Sequence, residues 1–385
     1  MSNQTVLISG AGIAGSTLAY WLARHGFRPT VVERASGLRS SGNPVDVRGP
    51  AMKVAERMGL MPRLRAADSN VTDMRFVNAA GRHVGRIKLR AFQMSAGDRE
   101  PEVPRAELAS ILFEASSDDA EFLWDDTIAA LNQNENGVDV TFERAEPRRF
   151  DLVIGADGLH SAVRRVAFGP ETDFVRHMGI YVATLPIDGP IDNDHEVTLY
   201  NAPGRLVSVH PSRGQAVAAF MFRSPALTGF DHRDTEQHKR LVATAFADDS
   251  WRVPELLERV RAANDIYFDS VSQVRLPQWS SGRVAVLGDA ASCLSLFGDG
   301  STLAIAGAFT LAEELAAART DPETAFRRYE SRHRTLVEPK LRGFGSASAL
   351  LIPATRRGIA VRNLATHLFP MMAAAGSLRR RVQSA

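Results

Sequence analysis

Three glycines and one acid near the start of the chain have the spacing that binds a dinucleotide. Gly10, Gly12 and Gly15 form a G-x-G-x-x-G run between a β-leaning stretch, Val6 to Ser9, and a helical one, Ala14 to Arg24. Gly26 ends that helix, Pro29 prevents its resumption, and Thr30 to Val32 reads as a second buried strand ending at Glu33. In such a unit Gly10 permits the tight turn, Gly12 lets a pyrophosphate approach the backbone, and Gly15 lets helix pack closely on strand. The helix start at Gly12, Ile13 and Ala14 offers unpaired N–H groups to phosphates. Glu33, with Arg34 beside it, can accept from adenosine ribose hydroxyls, and an acid there disfavours a 2′-phosphate. The bound dinucleotide is thus FAD or NAD rather than NADP.

Two more strand–acid–helix units follow. Phe150 to Ile154 leads into Gly155-Ala156-Asp157-Gly158 and a helix from about His160-Ser161. Arg283 to Leu287 leads into Gly288-Asp289, and an Ala-rich helix runs from Gly300 to Ala318. A nicotinamide dehydrogenase has no need of these units. The stretch LGDAASCLSLFGDGSTLAIAGA, residues 287–308, sets Asp289 and Asp299 among small residues, as a ligand lying against backbone requires.

In order and spacing these units resemble the flavoprotein aromatic hydroxylases, the single-component FAD monooxygenases related to p-hydroxybenzoate hydroxylase. The resemblance rests on the fingerprint with Glu33, the D-G-x-x-S-x-x-R element at Asp157, Gly158, Ser161 and Arg164, and the Gly288-Asp289 pair. It implies FAD as cofactor and NADPH or NADH as reductant. It further implies O₂ added to the flavin as a C4a-hydroperoxide, and oxygen passed to an aromatic or polycyclic substrate such as a phenol, polyketide or tetracycline. Asp289 would then hold the ribityl chain, and Arg105 would contact the flavin from a helix start. Asp157 would serve both FAD and the nicotinamide cofactor, its alternative role being that of a helix-start acid.

The loop 297–302 would border the flavin ring, with Gly298, Gly300, Ser301 and Thr302 at a helix start that favours negative charge on the reduced ring. The chain departs from its apparent relatives here: Ser292 stands in a histidine place, Leu296 in a proline place, and Asp299 in a glutamine-like place. Asp299 points away, caps the helix or touches substrate; these readings stay open. Substrate contacts are expected from Asp46, Arg48, His210, Met221, Phe297 and Asp299. The flavin carries the chemistry, so no catalytic residue is assigned. The ten histidines show no H-E-x-x-H pattern and no metal site is expected. The alternatives are an FAD oxidoreductase that inserts no oxygen and a non-catalytic flavin- or ligand-binding protein.

The elements that must position these residues predict an α/β fold. A Rossmann-like FAD-binding domain (1–70, 101–170 and 271–321) is interrupted by an antiparallel-sheet substrate domain (71–100 and 171–270). A C-terminal helical segment, 322–385, follows. A hairpin is expected to turn at Asn136-Gly137. With 46 basic and 44 acidic residues the net charge is +2, which marks no nucleic-acid partner. No apolar run has the length of a membrane span, roughly 18 residues. One cysteine, Cys293, excludes an internal disulfide and reads as a small packed residue. With no leader pattern, the expectation is a cytoplasmic monomer or weak homo-oligomer.

Overall fold

The strand Thr5–Ser9 is apolar enough to be buried on both faces, and it forms the middle of a parallel sheet. In this computed structural model, residues 4–38, 43–89, 94–95, 98–188, 193–211, 216–293, 299–342 and 344–366 are described. The strand pairs in parallel with Arg28–Val32 on one side and Leu152–Gly155 on the other. Glu121–Leu123 and Val284–Val286 extend the sheet in parallel, and Ser280–Ser281 closes one edge antiparallel. Parallel strands need crossover helices that cover both sheet faces. The helices Ile13–Arg24 and Asp299–Ala317 pack on each other over one face, and both are buried over most of their length.

A second sheet of seven strands runs Tyr267–Val274, Val175–Ile187, Ala216–Arg223, Arg205–His210, Glu196–Ala202, Asp73–Val77 and His83–Lys88. It is antiparallel except at one junction, where Glu196–Ala202 pairs in parallel with Asp73–Val77. The alternation along Val175–Ile187 sorts its side chains between two cores. Tyr181, Ala183 and Leu185 pack with Phe220, Phe246 and Leu256 beneath the helices Thr235–Ala245 and Val253–Ala262. Ile180 and Val182 pack with Leu206, Met221 and Ile352 on the opposite face.

The hairpin turns one residue earlier than expected. Asn134 pairs with Gly137, so Glu135 and Asn136 form the turn and Gly137 begins the strand. A Cβ on Gly137 would lie 2.7 Å from Phe150 O, because the strand Arg148–Phe150 is paired alongside it.

The C-terminal helices are Pro322–Arg342, Phe344–Leu351 and a further one at 356–366. Arg223 clamps the second of them, Nε donating to Ile352 O at 2.8 Å and Nη2 to Ser348 O at 2.9 Å. Among the described residues no helix is long and apolar enough to cross a membrane.

Candidate active site

The carboxyl ends of the parallel strands converge where the three glycine–acid units meet, as ligand sites of open α/β sheets do. Gly10 has φ +103°, donates its N–H to Val32 O at 2.7 Å, and would place a Cβ 2.6 Å from Ala156 O. A Cβ on Gly15 would lie 1.8 Å from Gly10 O, so the helix start presses directly on the loop. Gly12 differs, because a Cβ there would meet no atom within 4 Å. The helix beginning at Ile13 and Ala14 has no side-chain cap, which leaves its first-turn N–H groups for a ligand. This open, uncapped cradle fits a pyrophosphate.

Glu33 stands at its rim. Its Oε2 accepts from Ala11 N and its Oε1 from Ala35 N, both at 2.9 Å. A carboxylate oxygen can accept twice, so each keeps a lone pair for a ribose hydroxyl. Arg34 is exposed and its charge reaches His232.

The third unit closes on the first. Gly288, at φ +63°, would set a Cβ 3.1 Å from the Ala14 Cβ. Asp289 Oδ1 lies 3.7 Å from the place of a Gly300 Cβ, so this carboxyl faces the start of the helix Asp299–Ala317. Burial pushes the Asp289 carboxyl up, against the opposing charge of Arg105 at the start of the helix Arg105–Ser116. Tyr267 feels burial and the same charges, and its hydroxyl is raised above the ordinary tyrosine range.

The second unit turns inward. Asp157 accepts from Ser9 Oγ at 3.2 Å, Val163 N at 3.1 Å and Ser161 Oγ. Ser161 in turn caps the helix Ala162–Ala167 by accepting from Arg164 N at 2.9 Å. Gly158, at φ +80°, makes the turn between them. The Arg164 side chain is wholly buried and donates to Ala290 O at 3.1 Å and to Leu159 O. Asp157 and Arg164 are thus positioned by bonds within the chain. The strand ends in an apolar core, and these polar groups find their partners within the chain.

Ser301 and Thr302 stand in the first turn of the helix Asp299–Ala317. Their hydroxyls donate to Asp46 O at 2.7 and 3.2 Å, and Thr302 Oγ1 accepts from Arg48 N at 3.0 Å. Only their backbone remains at the helix start. Asp299 is drawn aside by Lys340, whose Nζ donates to Oδ1 at 3.0 Å. Asp46 and Arg48 form an ion pair at 2.7 Å, and His210 reaches Glu102 at 3.5 Å. Met221 lies on the sheet face that Ile352 covers. Phe297 and Gly298 lie outside the described residues.

Sequence reasoning passed over His160, Glu171, Asp269, Glu100 and Glu102. None lies in a spaced pattern; only the fold brings them to the site's edge. His160 bridges Glu171 at 3.0 Å and Asp269 at 3.3 Å, and stacks on His232 at 3.9 Å. Burial opposes the charge on His160, but the hydrogen bonds from Asp269 and Glu171 prevail and raise it to about 9. Burial, then the His160 charge, lower His232 to about 4. The raised group contributes stability that is complete below the unfolded value near 6.5 and is lost as pH rises through 9. The expected loss is about 3 kcal/mol. Urea unfolding above and below that window should show it in the wild type, and His160→Gln should lack it. An equal pH dependence in both proteins would contradict the bridge.

The family model for the FAD binding domain matches residues 3–341. An uncharacterized protein of Mycobacterium tuberculosis is 40% identical over 339 residues, covering 87% of this chain and 91% of its own length. A flavin-dependent monooxygenase from an unknown prokaryotic organism is 37% identical over 336 residues, 86% of each chain. The crystal structure of the tetracycline destructase Tet(51) aligns with a TM-score of 0.84 at 31% identity, covering 95% of this chain and 96% of that one.

Proposed function

The chain belongs to the FAD binding domain family and is a flavin-dependent monooxygenase, and from that premise we propose that it uses NADPH or NADH and O₂ to hydroxylate an aromatic or polycyclic small molecule. The observation that carries the cofactor reading is the Gly12 cradle, open to a ligand and joined to both Glu33 and Asp289. Bound flavin would supply the redox chemistry, taking electrons from the nicotinamide cofactor and passing one oxygen atom of O₂ to the substrate. The residues of the chain hold and insulate. Ile13 and Ala14 bind phosphate through backbone N–H groups, Glu33 takes ribose hydroxyls, and Asp289 accepts from the ribityl chain.

Arg105 and the start of the helix Asp299–Ala317 supply positive potential where reduction adds negative charge. Similarity to a tetracycline destructase favours a polycycle. We place the activity in a reducing cytoplasm, in a monomer or weak homo-oligomer; the single Cys293 is buried, in keeping with that compartment.

The decisive experiment supplies NADPH, ¹⁸O₂ and a panel of phenols, polyketides and tetracyclines to the purified protein. One labelled oxygen in a product is expected. Full turnover without label would leave an oxidoreductase that inserts no oxygen. Glu33→Ala and Asp289→Ala should each weaken FAD retention by about tenfold to a hundredfold, the worth of one hydrogen bond to a charged group. Unchanged flavin content in both would contradict these assignments.

A further inference from the structure

The strand Val45–Asp46 pairs with Glu102–Val103, and this short ribbon joins the two sheets at the edge of the flavin site. Asp46 is tied to the first turn of the helix Asp299–Ala317 by the two hydroxyls on its carbonyl. Its carboxylate meets Arg48 Nη2 at 2.7 Å. Glu100, 6% exposed, holds Gly49 N at 3.0 Å and approaches Arg48 Nε at 3.7 Å. Glu102, the cross-strand partner of Asp46, accepts from Ser69 Oγ at 2.6 Å and faces His210 at 3.5 Å. Beyond the ribbon, Asp299 contributes a further negative charge, itself paired with Lys340.

We propose that Asp46 is the acid–base group of this site, exchanging a proton with an acidic phenolic or enolic hydroxyl of the substrate, while Arg48 faces the resulting oxyanion. The inference deepens the monooxygenase reading and rests on it. Asp46 and Glu100 share one guanidinium here, with Glu102 and Asp299 close enough to act on Asp46, and carboxylates crowded in this way cannot all ionise at their usual values. Burial pushes Asp46 up to about 7, Arg48 holds it down, and Glu102 and Asp299 push it further up. That value lies where a general base works best near neutral pH. Arg48 Nε faces Glu100 and Nη2 faces Asp46, and with 32% of its side chain exposed the guanidinium can still meet an oxyanion.

The step balances as a proton transfer alone. The substrate O–H bond breaks, its electron pair stays on oxygen, and the proton forms an O–H bond on Asp46. Ionising the hydroxyl enriches the substrate in electrons, which favours its attack on an electrophilic oxygen.

Two measurements test this on the FAD-loaded protein. The first is infrared titration without substrate. A carboxylic acid carbonyl band should titrate near pH 7 in the wild type and be missing from Asp46→Asn, which keeps the backbone tether to Ser301 and Thr302. The second uses tetracycline as the probe, with oxygenated product followed over about pH 5 to 9. The wild-type kcat/KM should fall on the acid side with a limb near 7; Asp46→Asn should lose the limb and about a hundredfold in rate. Asp46→Glu should restore a limb. A purely structural role for Asp46 would leave the limb in place, and either that outcome or an unchanged infrared band in Asp46→Asn overturns the proposal. If the wild type incorporates no oxygen into tetracycline, the monooxygenase reading fails for that probe, and the infrared titration still decides the role of Asp46.

Discussion

Gly12→Val is expected to abolish FAD retention while leaving the apoprotein folded. A Cβ at Gly12 meets nothing of the protein within 4 Å, so the backbone there has room for a side chain. The space it fills is the space beside the uncapped helix start, where a pyrophosphate must come against backbone N–H groups. Affinity should fall at least about a hundredfold, roughly 2.7 kcal/mol or more. Gly15→Ala should behave in the opposite way. Its Cβ would lie 1.8 Å from Gly10 O, a backbone atom that the strand Thr5–Ser9 and Val32 hold in place. That variant should lose stability before any cofactor is added. Flavin absorbance after dialysis and thermal melting of the apoproteins separate the two. A Gly12→Val protein that stays yellow at full occupancy would refute the cradle.

Arg164→Met should cost about 3–5 kcal/mol, the typical penalty for removing one partner of a buried charged network. Arg164 is wholly buried, and its guanidinium bonds two carbonyls and approaches Glu171 at 3.5 Å. Removing it strands Leu159 O and Ala290 O in the interior. Ala290 immediately follows Asp289, so the change should also loosen FAD. Arg164→Lys should recover little, because a single ammonium lacks the planar fork that spans two carbonyls. The urea midpoint, read with its slope, measures this. A loss below about 1 kcal/mol would show that the buried guanidinium ties nothing together.

Both residues show what could be read from the sequence. Gly10, Gly12 and Gly15 announce themselves because backbone approach has only one solution in residue type, and local order preserves their spacing. Strand, glycine turn and helix could be placed three times for the same reason. The direction of a side chain leaving such a turn is different. Asp157 and Arg164 carry the motif, and only the fold shows that their side chains turn to Ser9, Ser161, Leu159 and Ala290. The parallel pairing of Asp73–Val77 with Glu196–Ala202 was equally hidden. Sequence pattern gives strands their faces and leaves their neighbours open. The pairing of Asp299 with Lys340, and the crowding of Asp46 by Glu102 and Asp299, exist only once distant segments have met.

The order of strands in the six-stranded sheet bears on how the protein is made. Thr5–Ser9 and Arg28–Val32 leave the ribosome together and can pair at once. Leu152–Gly155 joins later, and its outer partner Val284–Val286 later still. At ordinary rates of synthesis, the glycine loop waits on the order of tens of seconds for Asp289. During that interval Leu152, Val153 and Ile154 present an unpaired apolar edge, a hazard for association with other nascent chains. The N-terminal glycines alone are therefore only part of the FAD site. That site is finished only when translation is well into the last third of the chain, and premature termination before the helix Asp299–Ala317 yields a fragment with half a cradle and an open sheet.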